Sequence, residues 1–340
     1  HPILTAVGYP NDPNGIPVAN GSADPVFANT TMYQIGVQEF SDQLHPNLPA
    51  TKLWGYVDLT NPVPRHLGGI IVTGRAGSPL GSAARMRFTN NLPARHILPV
   101  DITIPGSTMA QNRIATHLHG GLVPWISDGG PFDWFTPNCP DYSNGLSFPN
   151  GPGSVLDNIV GTPMQFGQAD YYYPNNQSTR LMWYHDHAFG ITRLNAYAGV
   201  ASGYLCVDTA DLGAGSRLTA NVPPIPDLIP LVWQEKKFVW GNNGTNGLPV
   251  TGTFLTDPTW ADVTRPDVQA PGSLWYEHTY NPKIWKLKAA GALPLPDPSI
   301  IAEFFGDTML CNGTVFPKLT VQPKRYRLMM LNATNARFFN

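Results

Sequence analysis

"ADYYYPNNQSTRLMWYHDH", residues Ala169–His187, reads as a strand, a turn and a second strand. The connection PNNQS supplies Pro, Asn and Ser, which favour turns, between two runs rich in aromatic residues. The chain then returns as a third strand in "AGVASGYLCVD", Ala198–Asp208. Side chains at i and i+2 of a strand share one face. His185 and His187 are therefore a two-pronged pair, and Asp186 faces the other way. A second pair, His117 and His119, lies in "NRIATHLHGG", Asn112–Gly121, a short strand closed by a Gly-Gly turn. The chain holds nine histidines, a content that gives about 0.2 His-x-His pairs by chance. Two pairs on neighbouring strands would bring four imidazoles together without ordering a loop.

The pattern extends on both sides. Thr31–Phe40 (TMYQIGVQEF), Leu53–Leu59 (LWGYVDL), Gly68–Gly74 (GGIIVTG) and Ala84–Pro93 (ARMRFTNNLP) are strand-sized runs set between Pro and Gly. That spacing is typical of a sandwich or barrel. Gly (33) and Pro (35) together supply one residue in five of the 340, and both interrupt helices. No helical period longer than three turns is evident. A break at Thr209–Leu218 divides the chain into a first β-domain, 1–212, and a second, 213–340. The second opens with Asp227–Trp240, read as two strand pieces. After a loop-rich stretch it continues as hairpins over Asp307–Asn335, with Asn312-Gly313 at one turn. Arg325–Asn332 (RYRLMMLN) echoes Arg85–Asn90 in paired arginines, apolar alternation and a closing Asn, as two copies of one domain would. The second domain stops without a closing strand, so the chain is expected to be part of a longer polypeptide.

Composition narrows the class. Hydrophobic residues at 42% against 13% charged fit a folded chain, and a net charge of −2 without basic runs gives no footprint for nucleic acid. No apolar run approaches the roughly 20 residues of a membrane helix. Three cysteines, Cys139, Cys206 and Cys311, allow at most one disulfide, and Cys206 reads as a core residue. Six Asn-x-Ser/Thr sequons, at Asn20, Asn29, Asn176, Asn243, Asn312 and Asn332, set the expectation of a secreted, extracellular glycoprotein.

Imidazole suits copper, zinc, iron and nickel. With no cysteine beside either pair, a structural zinc site is disfavoured, and four imidazoles without a carboxylate at ligand spacing favour copper. Gly120 and Gly121 are expected to let the backbone pass close to the cluster. Trp183 and Tyr184 read as packing residues. His45, His66, His96 and His278 read as ordinary surface or core histidines.

"THLHGG" and "WYHDHAFGITRLNAYAGVASGYL" resemble the first two copper-binding motifs of multicopper oxidases. The HDH form followed by TRLNAYAG is closest to the group of spore-coat laccases, bilirubin oxidases and phenoxazinone synthases. "EFFGDTMLCNGTVFPKLTVQPKRYRLMMLNATNARFFN", Glu303–Asn340, resembles the second domain of the same group. The resemblance implies an all-β chain of tandem cupredoxin-like Greek-key sandwiches, with the family's third domain missing from this chain. It implies that His117 binds a type 2 copper, that His119 binds a type 3 copper, and that His185 and His187 each bind a type 3 copper. These are four of the cluster's eight histidines. The resemblance further implies that the cluster reduces O2 to water with electrons from a small aromatic substrate of phenolic, aminophenolic or bilirubin-like type.

The family's HxxHxH and HCH motifs, which complete the cluster and build the type 1 copper site, do not occur here. A C-terminal cupredoxin domain, in the same polypeptide or a separate chain, is expected to bring them. Asp128, in "WISDGG", stands where the family has an acid beside the cluster able to relay protons. As a sequence feature it is equally a turn aspartate before two glycines. The competing expectation for the whole chain is a copper-free cupredoxin scaffold that binds a partner.

Overall fold

A computed structural model describes residues 16–76, 83–137, 167–208, 228–239, 268, 271–276, 298 and 303–340. The first sheet is built on β2 (Thr30–Asp42). One edge of β2 carries β1 (Ser22–Ala23) and β3 (Thr51–Asp58), both antiparallel. The other edge pairs in parallel with β5 (Ala83–Asn90), which pairs antiparallel with β7 (Gln168–Tyr173). The second sheet runs β4 (Ile71–Gly74), β9 (Ala201–Val207), β8 (Arg180–Asp186), β6 (Thr116–His119), with β6 at its edge. Thus β7 and β8, the two halves of the opening stretch, belong to different sheets.

Aromatic side chains weld these sheets face to face. Tyr184 of β8 meets Tyr56 of β3 at 4.5 Å between ring centroids and Phe88 of β5 at 5.8 Å, and Phe88 also contacts Tyr171 of β7. The Tyr184 hydroxyl donates to the Gly69 carbonyl at 2.5 Å. Because Tyr184 points into the sandwich, strand alternation turns Trp183 and His185 outward. On β6 the same logic buries Thr116 and Leu118 and turns His117 and His119 outward.

A buried ion-pair cluster holds the far side of the first sheet. Arg85 and Arg87, two apart on β5, both pair with Asp170 of β7, and Arg85 also reaches Asp24.

The third sheet is built on β10 (Leu228–Phe238). It pairs antiparallel with β11 (Leu274–Trp275) and β12 (Thr308–Cys311), and in parallel with β14 (Arg327–Asn332); β13 (Thr314–Val315) extends β12. Here the two strand pieces expected over 227–240 are one strand that changes partners at Trp233, where the β14 ladder ends and the β12 ladder begins. The echo between Arg85–Asn90 and Arg325–Asn332 has a structural counterpart. Arg85–Asn90 lies within β5 and Arg325–Asn332 contains β14, and each of these strands lies parallel to the long central strand of its sheet. Asn312 and Gly313 form the expected two-residue turn, both at positive φ.

Val232 and Leu331 of this third sheet pack against Leu181, Trp183 and Ala201, on the outer face of the second sheet. They cover part of the face that carries the histidines.

The sequence break at 209–218, Cys139, Asn243 and His278 lie outside the described residues. The two described cysteines, Cys206 and Cys311, are both buried. One sequon is closed to a glycan: Asn312 is buried, and its side chain accepts from the Val232 amide and donates to the Pro230 carbonyl. The helix α1 (Thr192–Ala198), missed by the sequence pattern, occupies the stretch between β8 and β9.

Candidate metal centre

The pairing of β6 with β8 sets His117 opposite His185 and His119 opposite Trp183. His187 continues the same face just past β8, its backbone N–H bonded to the Ala115 carbonyl at 2.7 Å. All four imidazoles therefore meet at one sheet edge. Ring centroids lie 5.0 Å apart for His117 and His187, 5.5 Å for His119 and His185, and 5.7 Å for His117 and His185. His185 is buried, His117 and His187 are partly buried, and His119 is exposed.

Hydrogen bonds fix the tautomers. His117 Nδ1 faces the Asp128 carbonyl at 2.6 Å, and His185 Nδ1 faces the Asp186 carbonyl at 2.7 Å. A carbonyl only accepts, so both Nδ1 atoms carry the proton and both Nε2 atoms keep a lone pair for a metal. His185 Nε2 and His119 Nδ1 approach to 3.3 Å. Two imidazole nitrogens each about 2.0 Å from one ion, at a tetrahedral angle, lie about 3.3 Å apart. His187 Nδ1 is buried and has no hydrogen-bond partner among the described residues. The donor set fits a metal by both tests. Among the described residues no three His, Cys, Asp or Glu side chains converge as a self-sufficient ion site needs. The closest nitrogens are those of His119 and His185, with His117 and His187 beside them, and these four rings alone do not complete the ligand set of any one ion.

Burial favours the neutral form of His119, His185 and His187. Burial, reinforced by the neighbouring imidazoles, pushes His185 down to about 4. Burial and the nearby His117 also lower His119 and His187. Neutral imidazole is the form that ligates a metal.

The supports around the rings come from residues with less sequence signal. Trp183 stacks on His185 at 4.2 Å and lies 5.6 Å from His119, so it packs as expected, but it packs on the imidazoles themselves. Asp186 faces inward and accepts from the Ala115 and Ala188 amides at 2.9 and 3.1 Å, tying the start of β6 to the loop after His187. Burial raises its carboxyl to about 6 against the pull of those bonds. Asp128 closes a 3-10 turn (Trp125–Ser127). Its carbonyl holds His117, and its half-exposed carboxylate lies 3.4 Å from the same nitrogen.

Gly129 sets that turn against β6. It has φ +68°, and a Cβ there would stand 1.8 Å from the Thr116 carbonyl, so only glycine fits. Gly120, by contrast, has open space around its missing Cβ. It serves the turn through its φ of +82° rather than a close backbone approach, which corrects the sequence expectation. His66 and His96 are buried structural histidines bonded to Gln234 and Asn195, and His45 accepts from the Asn47 amide.

With the geometry in place, relatives can be set beside it. The chain is 32% identical over 315 residues to a laccase of Bacillus subtilis, covering 91% of this chain and 47% of the laccase. It is 29% identical over 328 residues to multicopper oxidase LPR1 homolog 1 of Oryza sativa, covering 96% of this chain and 43% of the relative. The solved structure of a laccase-like multi-copper oxidase from Ochrobactrum sp. aligns with a TM-score of 0.50 at 17% identity, over 95% of this chain and 46% of that one. That likeness supports the cupredoxin-like fold. No family model matches the chain. The chain spans about half the length of the curated relatives it matches.

Proposed function

We propose, for a chain that belongs to the multicopper oxidase family, that His117, His119, His185 and His187 are half of an oxygen-reducing copper cluster. The observation that carries this reading is the meeting of four imidazoles at one sheet edge, with His119 Nδ1 and His185 Nε2 at 3.3 Å. His119 and His185 share one type 3 copper, His187 holds the other, and His117 holds the type 2 copper. A further cupredoxin-like domain, covalently attached or separate, supplies the remaining histidines and the type 1 copper. Bound copper would supply one-electron redox chemistry between a small aromatic reductant and O2. Phenolic, aminophenolic and bilirubin-like molecules are the proposed reductants.

This chain's own residues orient and protect the ligands. The Asp128 and Asp186 carbonyls fix the tautomers of His117 and His185, and such hydrogen bonds also raise ligand basicity. Trp183 covers one face of the His185 ring and limits its rotation. The Asp128 carboxylate, half in solvent and beside His117, is placed to pass protons inward. Each O2 takes four electrons and four protons to give two waters. The buried, unpartnered His187 Nδ1 argues against the copper-free scaffold, where it would remain an uncompensated polar atom. Exposed sequons at Asn20, Asn29, Asn176 and Asn332 support a secreted setting.

The test is the ratio of O2 consumed to phenol oxidised by the polypeptide carrying both halves of the cluster. One O2 per four one-electron oxidations, without hydrogen peroxide, is expected. Peroxide as the main product, or no O2 uptake, would refute the assignment.

A further inference from the structure

Beside the histidine edge, where the third sheet meets the second, lies a cavity of about 430 Å³ bordered by Trp183 and His185. Two cations line it, Lys236 from β10 and Arg193 from α1. Lys236 is 1% exposed. Its ammonium has three donors and uses one, to the Tyr197 carbonyl at 2.7 Å, while resting 4.7 Å over the Tyr197 ring. Neither cation pairs with a carboxylate among the described residues. Of the two lining acids, neither forms a described ion pair with Lys236 or Arg193. Glu235 is held by Arg337 at 2.5 Å and by the Gly306 amide at 3.0 Å, and Glu303 is exposed.

A buried ammonium without a carboxylate is costly unless an anion completes it. Burial already lowers Lys236 to about 7. The rest of the lining is aromatic. Tyr276 stacks on Phe304 at 4.6 Å, Tyr197 meets both edge-on, and Arg193 lies 5.0 Å over Tyr276. Pockets for small ligands combine such apolar walls with a few converging polar groups.

We propose that this cavity is a binding site for a small aromatic carboxylate, whose acid group meets Lys236 and Arg193 and whose ring lies along Tyr276, Phe304 and Tyr197. A ligand there would sit against Trp183 and His185 without replacing a metal ligand. The site is independent of the copper assignment, because it requires only the described protein groups.

Calorimetric titration with benzoate tests it, with benzyl alcohol as the uncharged counterpart. Saturable benzoate binding is expected, weakened at least tenfold in Arg193→Gln and in Lys236→Met, with benzyl alcohol at least tenfold weaker than benzoate. Arg193 is only partly buried, so its variant keeps the test meaningful should Lys236→Met fail to fold. No benzoate binding, unchanged affinity in Arg193→Gln, or equal binding of benzyl alcohol would overturn the proposal. Copper content measured on the same samples distinguishes failure of this site from failure of the copper assignment.

Discussion

In the polypeptide carrying both halves of the proposed cluster, His185→Ala is expected to eliminate O2 reduction while leaving the fold in place. His185 is the buried member of the cluster, faces His119 Nδ1 at 3.3 Å, and carries Trp183 on its ring. Even residues that only touch a metal ligand are each worth about 10–100-fold in metal affinity or activity. A direct ligand exceeds that range, so the rate of O2 reduction should fall by about a thousandfold or more. The side chain lies on the outer face of the second sheet, away from the Tyr56–Phe88–Tyr184 core. Circular dichroism and the melting temperature should therefore stay close to those of the parent. Retention of more than a tenth of the parent rate would exclude His185 as a ligand.

Asp186→Ala should damage stability and metal binding together. Its carboxylate takes the Ala115 and Ala188 amides, both buried. Each orphaned buried amide costs about 1–3 kcal/mol, so the loss should be about 4 kcal/mol. That corresponds to a melting temperature lower by about 10 °C. The two amides bracket His117 and His187 in the fold, so copper affinity should also drop by about 10–100-fold. Asp186→Asn keeps one acceptor oxygen and should lose about half as much stability. Denaturant melts with parallel copper titrations measure both effects. A variant as stable as the parent would show that Asp186 is only a spacer between two ligands.

The contrast between those two residues shows where sequence reading succeeds and where it stops. His117, His119, His185 and His187 were legible because strand geometry repeats every two residues, so the His-x-His spacing itself encodes a shared face. The strands of the first two sheets were legible for the same reason. The helix Thr192–Ala198 was not, since seven residues complete too few turns to reveal a period. The strand Leu228–Phe238 looked like two because its halves pair with different partners, a tertiary property that local pattern does not carry. At the site, the strongest contact of Asp128 to a ligand is through its backbone carbonyl, which every residue type possesses and no motif can advertise. The role of Gly129 depends on β6 lying against it, across a contact formed only in the folded chain.

The most direct test is copper per polypeptide after anaerobic loading with Cu(I) and desalting, read by mass spectrometry of the metal, in the parent polypeptide carrying both halves of the proposed cluster and in its His119→Ala/His185→Ala double variant. The account predicts bound copper in the parent and its loss from the pair in the variant. A parent that retains no copper, or a variant that retains as much as the parent, would contradict it.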